Sequence, residues 1–221
     1  MSSESDSEKK SITIFKIDKT DEQIRQSVLS NIVKMFVERK LIDKKSVAKI
    51  LDGLLDKNNK VQDDIYIIKL DHEIDPTNKL SNTLMVKLAK QKLTAISKQS
   101  NINDFLTTYK SNPKLLVVKD INSKATQYIK INSPMTEVFL EYELMINLID
   151  NDLVPRYEIL DRDSDIYKEF CNDYSCKKKD IPKLLITDPM ARYYNLKKWD
   201  IVRIIRPSET SGYSAYYRLV I

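Results

Sequence analysis

Residues 188–221 read DPMARYYNLKKWDIVRIIRPSETSGYSAYYRLVI, and their pattern sets the frame for the rest of the chain. Asp188-Pro189 is a helix start: the aspartate can cap, and proline is tolerated at the first helical position because its missing N–H would be unpaired anyway. Met190, Tyr193 and Tyr194 fall on one face of that helix, which puts Arg192 on a different side from the apolar stripe. Asn195 can adopt the left-handed conformation that ends the helix, with Leu196 closing over the last turn. A hairpin follows. Ile201, Arg203 and Ile205 share one face of its first strand, and Val202, Ile204 and Arg206 the other. Pro207 removes a ladder donor and is expected to end that strand. Ser208-Glu209-Thr210-Ser211-Gly212 is the loop, and the returning strand, Ala215–Ile221, carries Tyr216, Arg218 and Val220 on one face. Its apolar end, Leu219–Ile221, implies a docked strand. The result is a small α+β unit. Its arginines need no partner if they are simply solvated, and spacing alone does not say what they bind.

Working backwards, residues 147–182 are rich in charge and turn-formers (NLIDNDLVPRYEILDRDSD), and a domain boundary is expected near Asn147. A helix is expected at 164–176 with Ser164 as its cap, and a strand at Leu184–Thr187. Ahead of the boundary, residues 20–42 read as a helix. Thr20 with Gln23 forms a capping box, and Ile24, Val28, Ile32 and Met35-Phe36 form one apolar stripe. A second helix is expected near 44–56. Ile65–Leu70 (IYIIKL) and Thr83–Leu88 (TLMVKL) read as a strand pair around a polar loop holding Asp75-Pro76. Residues 90–109 read as helix, Leu115–Val118 (LLVV) as a buried strand, 122–131 as a short helix capped by Asn122 or Ser123, and 136–146 as a strand. Helices followed by strands mixed with helices suggest a layered α/β domain.

Composition narrows the function classes. The chain has 221 residues, 42% of them hydrophobic, enough for one ordinary domain or two small ones. The net charge of +5 permits a DNA contact without demanding one. The only glycines are Gly53 and Gly212, so neither G-x-G-x-x-G nor G-x-x-x-x-G-K-[ST] can be written, and phosphate-cradling nucleotide folds are excluded. Cys171 and Cys176, with only His72 far away, do not make a four-ligand zinc site and read as reduced thiols. His72 reads as a solvated loop residue and not a catalytic base. Residues 1–11 (MSSESDSEKKS) have the composition of a disordered tail, and no run approaches the ~20 apolar residues of a membrane span. No cofactor, metal or small-molecule substrate is expected.

The stretches D-P-M-A-R-Y-Y-N-L-K at 188–197, V-R-I-I-R-P-S-E-T-S-G at 202–212 and Y-R-L-V at 217–220 closely resemble the family of the shared fifth subunit of eukaryotic-type DNA-directed RNA polymerases, a family with an archaeal branch. The resemblance extends to E-L-M-I-N at 143–147 and L-V-P at 153–155. Through residues 20–142 it rests on the order and size of the elements. It implies a non-catalytic subunit in two parts. Residues 12–146 form an N-terminal jaw domain, α/β with a restriction-endonuclease-like layered core, beside incoming downstream DNA. Residues 147–221 form a small α+β assembly domain anchored on the largest polymerase subunit, within an assembly with other polymerase subunits. The expected compartment is the nucleus for a cellular enzyme, or the cytoplasmic factory and virion for a large DNA virus. Two positions depart from the family pattern. Asn151 stands where a histidine is common, and Asn122-Ser123-Lys124-Ala125 stands in place of a T-P-S-A turn that approaches DNA.

Two groups of candidate residues follow. Arg192, Tyr193, Arg206, Pro207, Ser208, Glu209, Thr210 and Arg218 are the candidates for subunit binding, with Glu209 free to pair with Arg192, with Arg218 or with a partner. Arginine suits such a face because its planar fork holds a carboxylate at two points. Lys119, Ser123, Lys124 and Lys130 are the candidates for DNA proximity. Two alternatives come from other classes. A metal-dependent nuclease would need clustered carboxylates and an E-x-K on adjoining strands; only Asp71 and Asp120 follow strands here, without that motif. A free-standing DNA-binding protein could use the acid-free run Lys87, Lys90, Lys92 and Lys98, though aromatic interleaving for base stacking is sparse.

Overall fold

The structure is a computed structural model that describes residues 19–55, 64–74, 82–97, 100–160, 165–174 and 180–221. The expected tail at 1–11, the Asp75-Pro76 loop, Lys98, the Ser164 cap and Cys176 lie outside those residues.

Helix α1 spans Asp21–Glu38 and starts as its sequence dictates. Thr20 Oγ1 accepts from the Gln23 N–H at 3.3 Å, and Gln23 Oε1 accepts from the Thr20 N–H at 3.0 Å. Its buried face is Val28, Leu29, Ile32, Val33, Met35 and Phe36. Helix α2, Val47–Leu55, packs beside it. Strands β1 (Ile65–Lys69), β2 (Thr83–Leu93), β3 (Lys114–Ile121) and β4 (Thr136–Leu140) form a sheet in that order. The β1–β2 pair is antiparallel, and β2, β3 and β4 run parallel. The connections β2 to β3 and β3 to β4 each carry a helix, α3 (Asn101–Thr108) and α4 (Ser123–Asn132). Leu115 and Val117 join the core under α1 and α2, while Leu116 and Val118 join the core under α3 and α4. Burial on both faces explains why β3 is a continuous apolar run and not an alternating one.

Two expectations for this half need correction. The strand expected to stop at Leu88 runs on to Leu93, and only Asn101–Thr108 of the expected helix 90–109 is helical. A register shift between Ala89 and Lys92 lets β2 rejoin β3, where Lys92 pairs with Asp120. Ser100 then caps the helix, its Oγ accepting from the Asn103 N–H at 3.2 Å. Likewise β4 stops at Leu140, and Glu141–Leu144 turn into a short helix, α5, because the Glu143 carboxylate accepts the Leu140 N–H at 2.8 Å.

After a 3₁₀ turn at Leu148–Asp150, a second sheet has the order β5 (Arg156–Leu160), β7 (Ile201–Ser208), β8 (Gly212–Val220), β6 (Lys183–Leu184). Asn147 itself lies between the last strand of the first sheet, β4, and the first strand of the second, β5. Strand β5 lies in the stretch rich in charge and turn-formers, where no strand is expected; only its last residue, Leu160, is buried. Strand β6 is shorter than expected because the Asp188 N–H closes a turn on the Leu185 carbonyl, leading into helix α7, Pro189–Tyr193. Pro207 does not end β7; it pairs with Tyr213, two residues beyond the last contact of β7 with β5 at Ile205. There it has a strand neighbour on one side only, where a missing N–H is tolerated. Helix α7 covers one face of this sheet through Ala191 against Val202, Ile204 and Val220. Helix α6, Asp165–Tyr174, covers the other through Phe170 against Ile201 and Leu219.

Candidate subunit interface

The eight candidates for subunit binding separate into two places. Helix α7 forms as expected: Asp188 Oδ1 accepts from the Met190 N–H at 2.9 Å, Pro189 opens the helix, and Asn195 is left-handed at φ 51°. Its Arg192 and Tyr193 side chains, however, reach into the first half of the chain. The Arg192 guanidinium forms a two-point ion pair with Glu143, donates to the Val138 carbonyl at 2.7 Å and lies 4.9 Å from the Phe139 ring centroid. Tyr193 is buried in the core beneath α1, and its hydroxyl donates to Asn147 Oδ1 at 3.0 Å. Burial pushes the Tyr193 phenol well above its ordinary pKa and carries that of Tyr194 up to about 12. Arg192 and Tyr193 therefore sit between the two halves of the chain. The carboxylate opposite Arg192 is Glu143, not Glu209.

The opposing surface contributes a residue that the sequence did not single out. Arg39, just past the end of α1, has a side chain only 4% exposed. Its guanidinium holds Glu137 at two points, 2.9 and 2.8 Å, and donates to the carbonyls of Tyr193 at 2.7 Å and Arg192 at 3.0 Å. Arg39 thus adds a side-chain donor to the carbonyls at the end of α7, where the Arg192 carbonyl also accepts the Asn195 N–H at 3.0 Å. Ninety-eight positions separate Arg39 from Glu137, so no local spacing could reveal the pair. Asn31 donates to the Leu144 carbonyl at 2.8 Å, and Lys34 pairs with Asp150 at 3.1 Å, extending the seam.

The remaining six lie on the β7–β8 hairpin. Arg206, Pro207, Glu209 and Thr210 are exposed, and the Ser208 and Thr210 hydroxyls stand 3.4 Å apart across the tip. Gly212, at φ +72°, supplies the left-handed residue that re-enters the ladder. The Arg206 guanidinium lies 3.9 Å from the Tyr216 ring centroid. Hydrogen bonds from Ser214 and then Arg206 hold the Tyr216 phenol below its ordinary pKa. Arg206 faces Ser214, Ile204 faces Tyr216 and Val202 faces Arg218, so both arginines and the tyrosine occupy one face, as the alternation implied.

Of the residues proposed to lie near DNA, Lys119 ends near the carboxyl end of β3, and Ser123 and Lys124 open α4; all three are exposed. Asn122 is the N-cap of α4, and no acidic side chain sits in its first turn. Lys130 lies in the last turn, at the other end of the helix. Asp71 and Asp120, the carboxylates weighed for a nuclease, follow β1 and end β3. Those strands run in opposite directions, which puts the two groups at opposite ends of the sheet. Each also has structural work. The Asp43 N–H on Asp71, and Lys92 on Asp120, hold both carboxyls below the usual range. His72 stands 3.4 Å from Asp43.

Lys114 is the other residue that the sequence did not flag. It opens β3 fully buried, and its ammonium donates to the carbonyls of Tyr109 at 2.8 Å and Asn112 at 3.2 Å, closing the end of α3.

Residues 146–220 match the model of the RNA polymerase Rpb5 C-terminal domain. The chain is 34% identical over 215 residues to DNA-directed RNA polymerase subunit 5 of Acanthamoeba polyphaga mimivirus, covering 95% of this chain and 98% of that one. It is 37% identical over 109 residues to DNA-directed RNA polymerases I, II, and III subunit RPABC1 of Caenorhabditis elegans, covering 48% of this chain and 51% of that one. A third match, 39% over 75 residues, covers 94% of DNA-directed RNA polymerase subunit Rpo5 of Methanococcoides burtonii and 34% of this chain. Because the mimivirus similarity runs through both sheets and the seam between them, the chain belongs to the DNA-directed RNA polymerase subunit 5 family.

Proposed function

We propose that this chain is an accessory subunit of a multisubunit DNA-directed RNA polymerase, with no catalytic residues of its own. Residues 147–221 anchor it to the largest subunit, and residues 12–146 form part of the lower jaw beside downstream duplex DNA. The observation that carries this reading is the match over 95% of the chain to a polymerase subunit of nearly the same length. The α/β sandwich of the first half, with helices on both faces of a mixed sheet, is compatible with the restriction-endonuclease-like core implied for the jaw. The exposed hairpin residues Arg206, Pro207, Ser208, Glu209 and Thr210, together with Arg218, form the anchoring face. Arg192 and Tyr193 act behind it, holding the two halves together. Lys119, Ser123 and Lys124 gather at the start of α4 and favour a sequence-independent phosphate contact, with Lys130 further along. The compartment follows the polymerase: the nucleus in a cell, the cytoplasmic factory and virion for a large DNA virus. The span of the mimivirus match favours the second.

Affinity purification of the tagged full chain, with identification of its partners, tests the reading. Large polymerase subunits are expected, and their absence sinks it. The jaw contact is tested in the assembled enzyme. Lys124→Glu should leave assembly intact and reduce the salt slope of downstream-duplex retention by about one unit per lost phosphate contact. An unchanged slope removes that contact.

A further inference from the structure

The outer edge of β8 is unguarded. Strand β6 meets β8 only at Leu219 and Val220, so from Gly212 to Tyr216 the strand has β7 as its only strand neighbour among the described residues. The direction of its backbone groups follows from the hydrogen bonds at the other end. The N–H groups of Leu219 and Ile221 donate to the Pro182 and Leu184 carbonyls on the β6 side, while the Val220 N–H donates to Asp200 on the β7 side. With a period of two, Ala215 directs its N–H outward, away from β7. Exposed edges are ordinarily blunted by charge, proline or a bulge, because an open row of N–H and C=O groups templates strand addition. Strand β5, at the far edge of the same sheet, follows that rule with Arg156 and Glu158. The sequence Gly212-Tyr213-Ser214-Ala215-Tyr216 carries no charge, no proline and no bulge.

The faces of the hairpin differ in charge. On one face Arg203 has Glu158 at 3.5 Å. On the other, Arg206 and Arg218 flank Tyr216, and no carboxylate ion pair to either guanidinium is found among the described residues. Tyr213 is 76% exposed and Tyr216 42%. Tyrosine and arginine are the side chains that dominate binding energy at protein interfaces.

We infer that β8 receives an extended acidic segment of another polymerase subunit, which adds as a strand alongside Gly212–Tyr216 and sets its carboxylates against Arg206 and Arg218. This rests on the polymerase reading above and names the chemistry of the partner at that anchoring face. Main-chain hydrogen bonds supply the affinity, and the arginines select an acidic sequence. A nucleic acid would engage the arginines but leave the open backbone edge unmatched.

Three variants of the tagged full chain test the inference by recovery of polymerase subunits. Ala215→Pro deletes the outward donor and leaves the β7 ladder intact, so recovery should fall about tenfold or more with an unchanged melting temperature. Arg206→Glu with Arg218→Glu should fall similarly, and Arg206→Lys with Arg218→Lys should retain binding. Ala215→Pro that is folded and recovers polymerase like the wild type overturns the inference. Should that variant not fold, amide exchange in the wild type decides: Ala215 must be slower in assembled polymerase than in the free chain, and equal rates overturn the idea. A photo-crosslinker placed at Tyr213 should capture an acidic stretch of a polymerase subunit. Capture of a second copy of this chain, or of nucleic acid, overturns the assignment. Failure of the underlying reading looks different, because the wild type itself would then recover no polymerase subunit.

Discussion

The guanidinium of Arg39 donates to the backbone carbonyl of Arg192 at 3.0 Å, and Arg192 turns its own guanidinium the other way, onto Glu143. Arg192 bonds into the first half of the chain, while Arg39 bridges the two, pairing with Glu137 in its own half and donating to the Tyr193 and Arg192 carbonyls in the other. Arg39 closes the end of α7, and Arg192 fastens the turn after β4, where Glu143 also receives the Leu140 N–H. Apolar packing, with Tyr193 set in the core beneath α1, supplies contact but little direction. The planar two-point pairs supply direction. The Arg192–Glu143 pair and the Arg39 bonds to the α7 carbonyls are thus the directional contacts between the two halves of the chain.

Replacing Arg39 should be costly. Arg39→Met leaves the Glu137 carboxylate and the Tyr193 carbonyl without the Arg39 donor, while the Arg192 carbonyl keeps the Asn195 N–H. Breaking such a buried pair typically costs about 3–5 kcal/mol. Urea unfolding of the full chain should register a loss near that size. The double change Arg39→Met, Glu137→Met should recover part of it, because no carboxylate is then stranded. A single-variant loss below ~1 kcal/mol would show that the pair does not hold the seam.

Arg192 and Arg206 should behave oppositely. Arg192→Ala removes charge-assisted hydrogen bonds from a partly buried site and should cost about 2 kcal/mol. Arg206 stacks on an exposed tyrosine, so Arg206→Ala should stay within about 0.5 kcal/mol of the parent. Incorporation into polymerase should fail for the folded Arg206 variant, the outcome that the proposed anchoring face requires. Thermal melting paired with subunit recovery separates the two roles. A large melting shift for Arg206→Ala would make it a structural residue. Normal incorporation of Arg206→Ala, Glu209→Ala would put the anchor elsewhere.

The elements easiest to read from the sequence were those whose signal is local. The Thr20–Gln23 box, the buried LLVV strand, the Asp188-Pro189 helix start and the alternation of β7 all came through, because each is a short-range rule. Strand β5 was missed because its alternation, Arg156-Tyr157-Glu158-Ile159, spans only four residues and sits in a stretch dominated by charge and turn-formers. The extension of β2 to Leu93 was missed because Lys90, Gln91 and Lys92 resemble a solvated helix face until β3 is seen beside them. For the candidate residues, the shared face of Arg206, Tyr216 and Arg218 follows the strand alternation, whereas the partners of the α7 side chains were not visible. Arg192 was placed off the apolar stripe of its helix, yet its partner Glu143 lies 49 positions away. Buried Lys114 gives no sequence signal either, since its acceptors are backbone carbonyls.

Lys114→Met should destabilise the half of the chain that holds the first sheet. The methylene stem is kept, but the carbonyls of Tyr109 and Asn112 lose their donor at the end of α3. Leaving buried acceptors unsatisfied costs about 1–3 kcal/mol. Hydrogen exchange should localise the effect to α3 and the start of β3. A neutral outcome would mean that water replaces the ammonium.

The pH profile of stability should bend in the alkaline range, with opposite contributions from lysine and tyrosine. Burial lowers the Lys114 pKa, so the unfolded chain binds the proton more readily. Between the folded value and the ordinary ~10.4, stability therefore rises with pH. Burial raises the phenols of Tyr66, Tyr157, Tyr193 and Tyr194. Their stabilisation is complete below the unfolded pKa of about 10 and is lost as pH climbs toward the folded values, because the unfolded tyrosines ionise first. For Tyr194 that window closes at about 12. Denaturant unfolding at stepped pH should show stability falling once pH passes ~10. Tyr194→Phe should make that fall shallower, and Lys114→Met should remove part of the rise before it. Phenolate absorbance of the folded chain provides the direct check. If Tyr194 ionises near pH 10 while the chain is still folded, the burial argument for the seam fails.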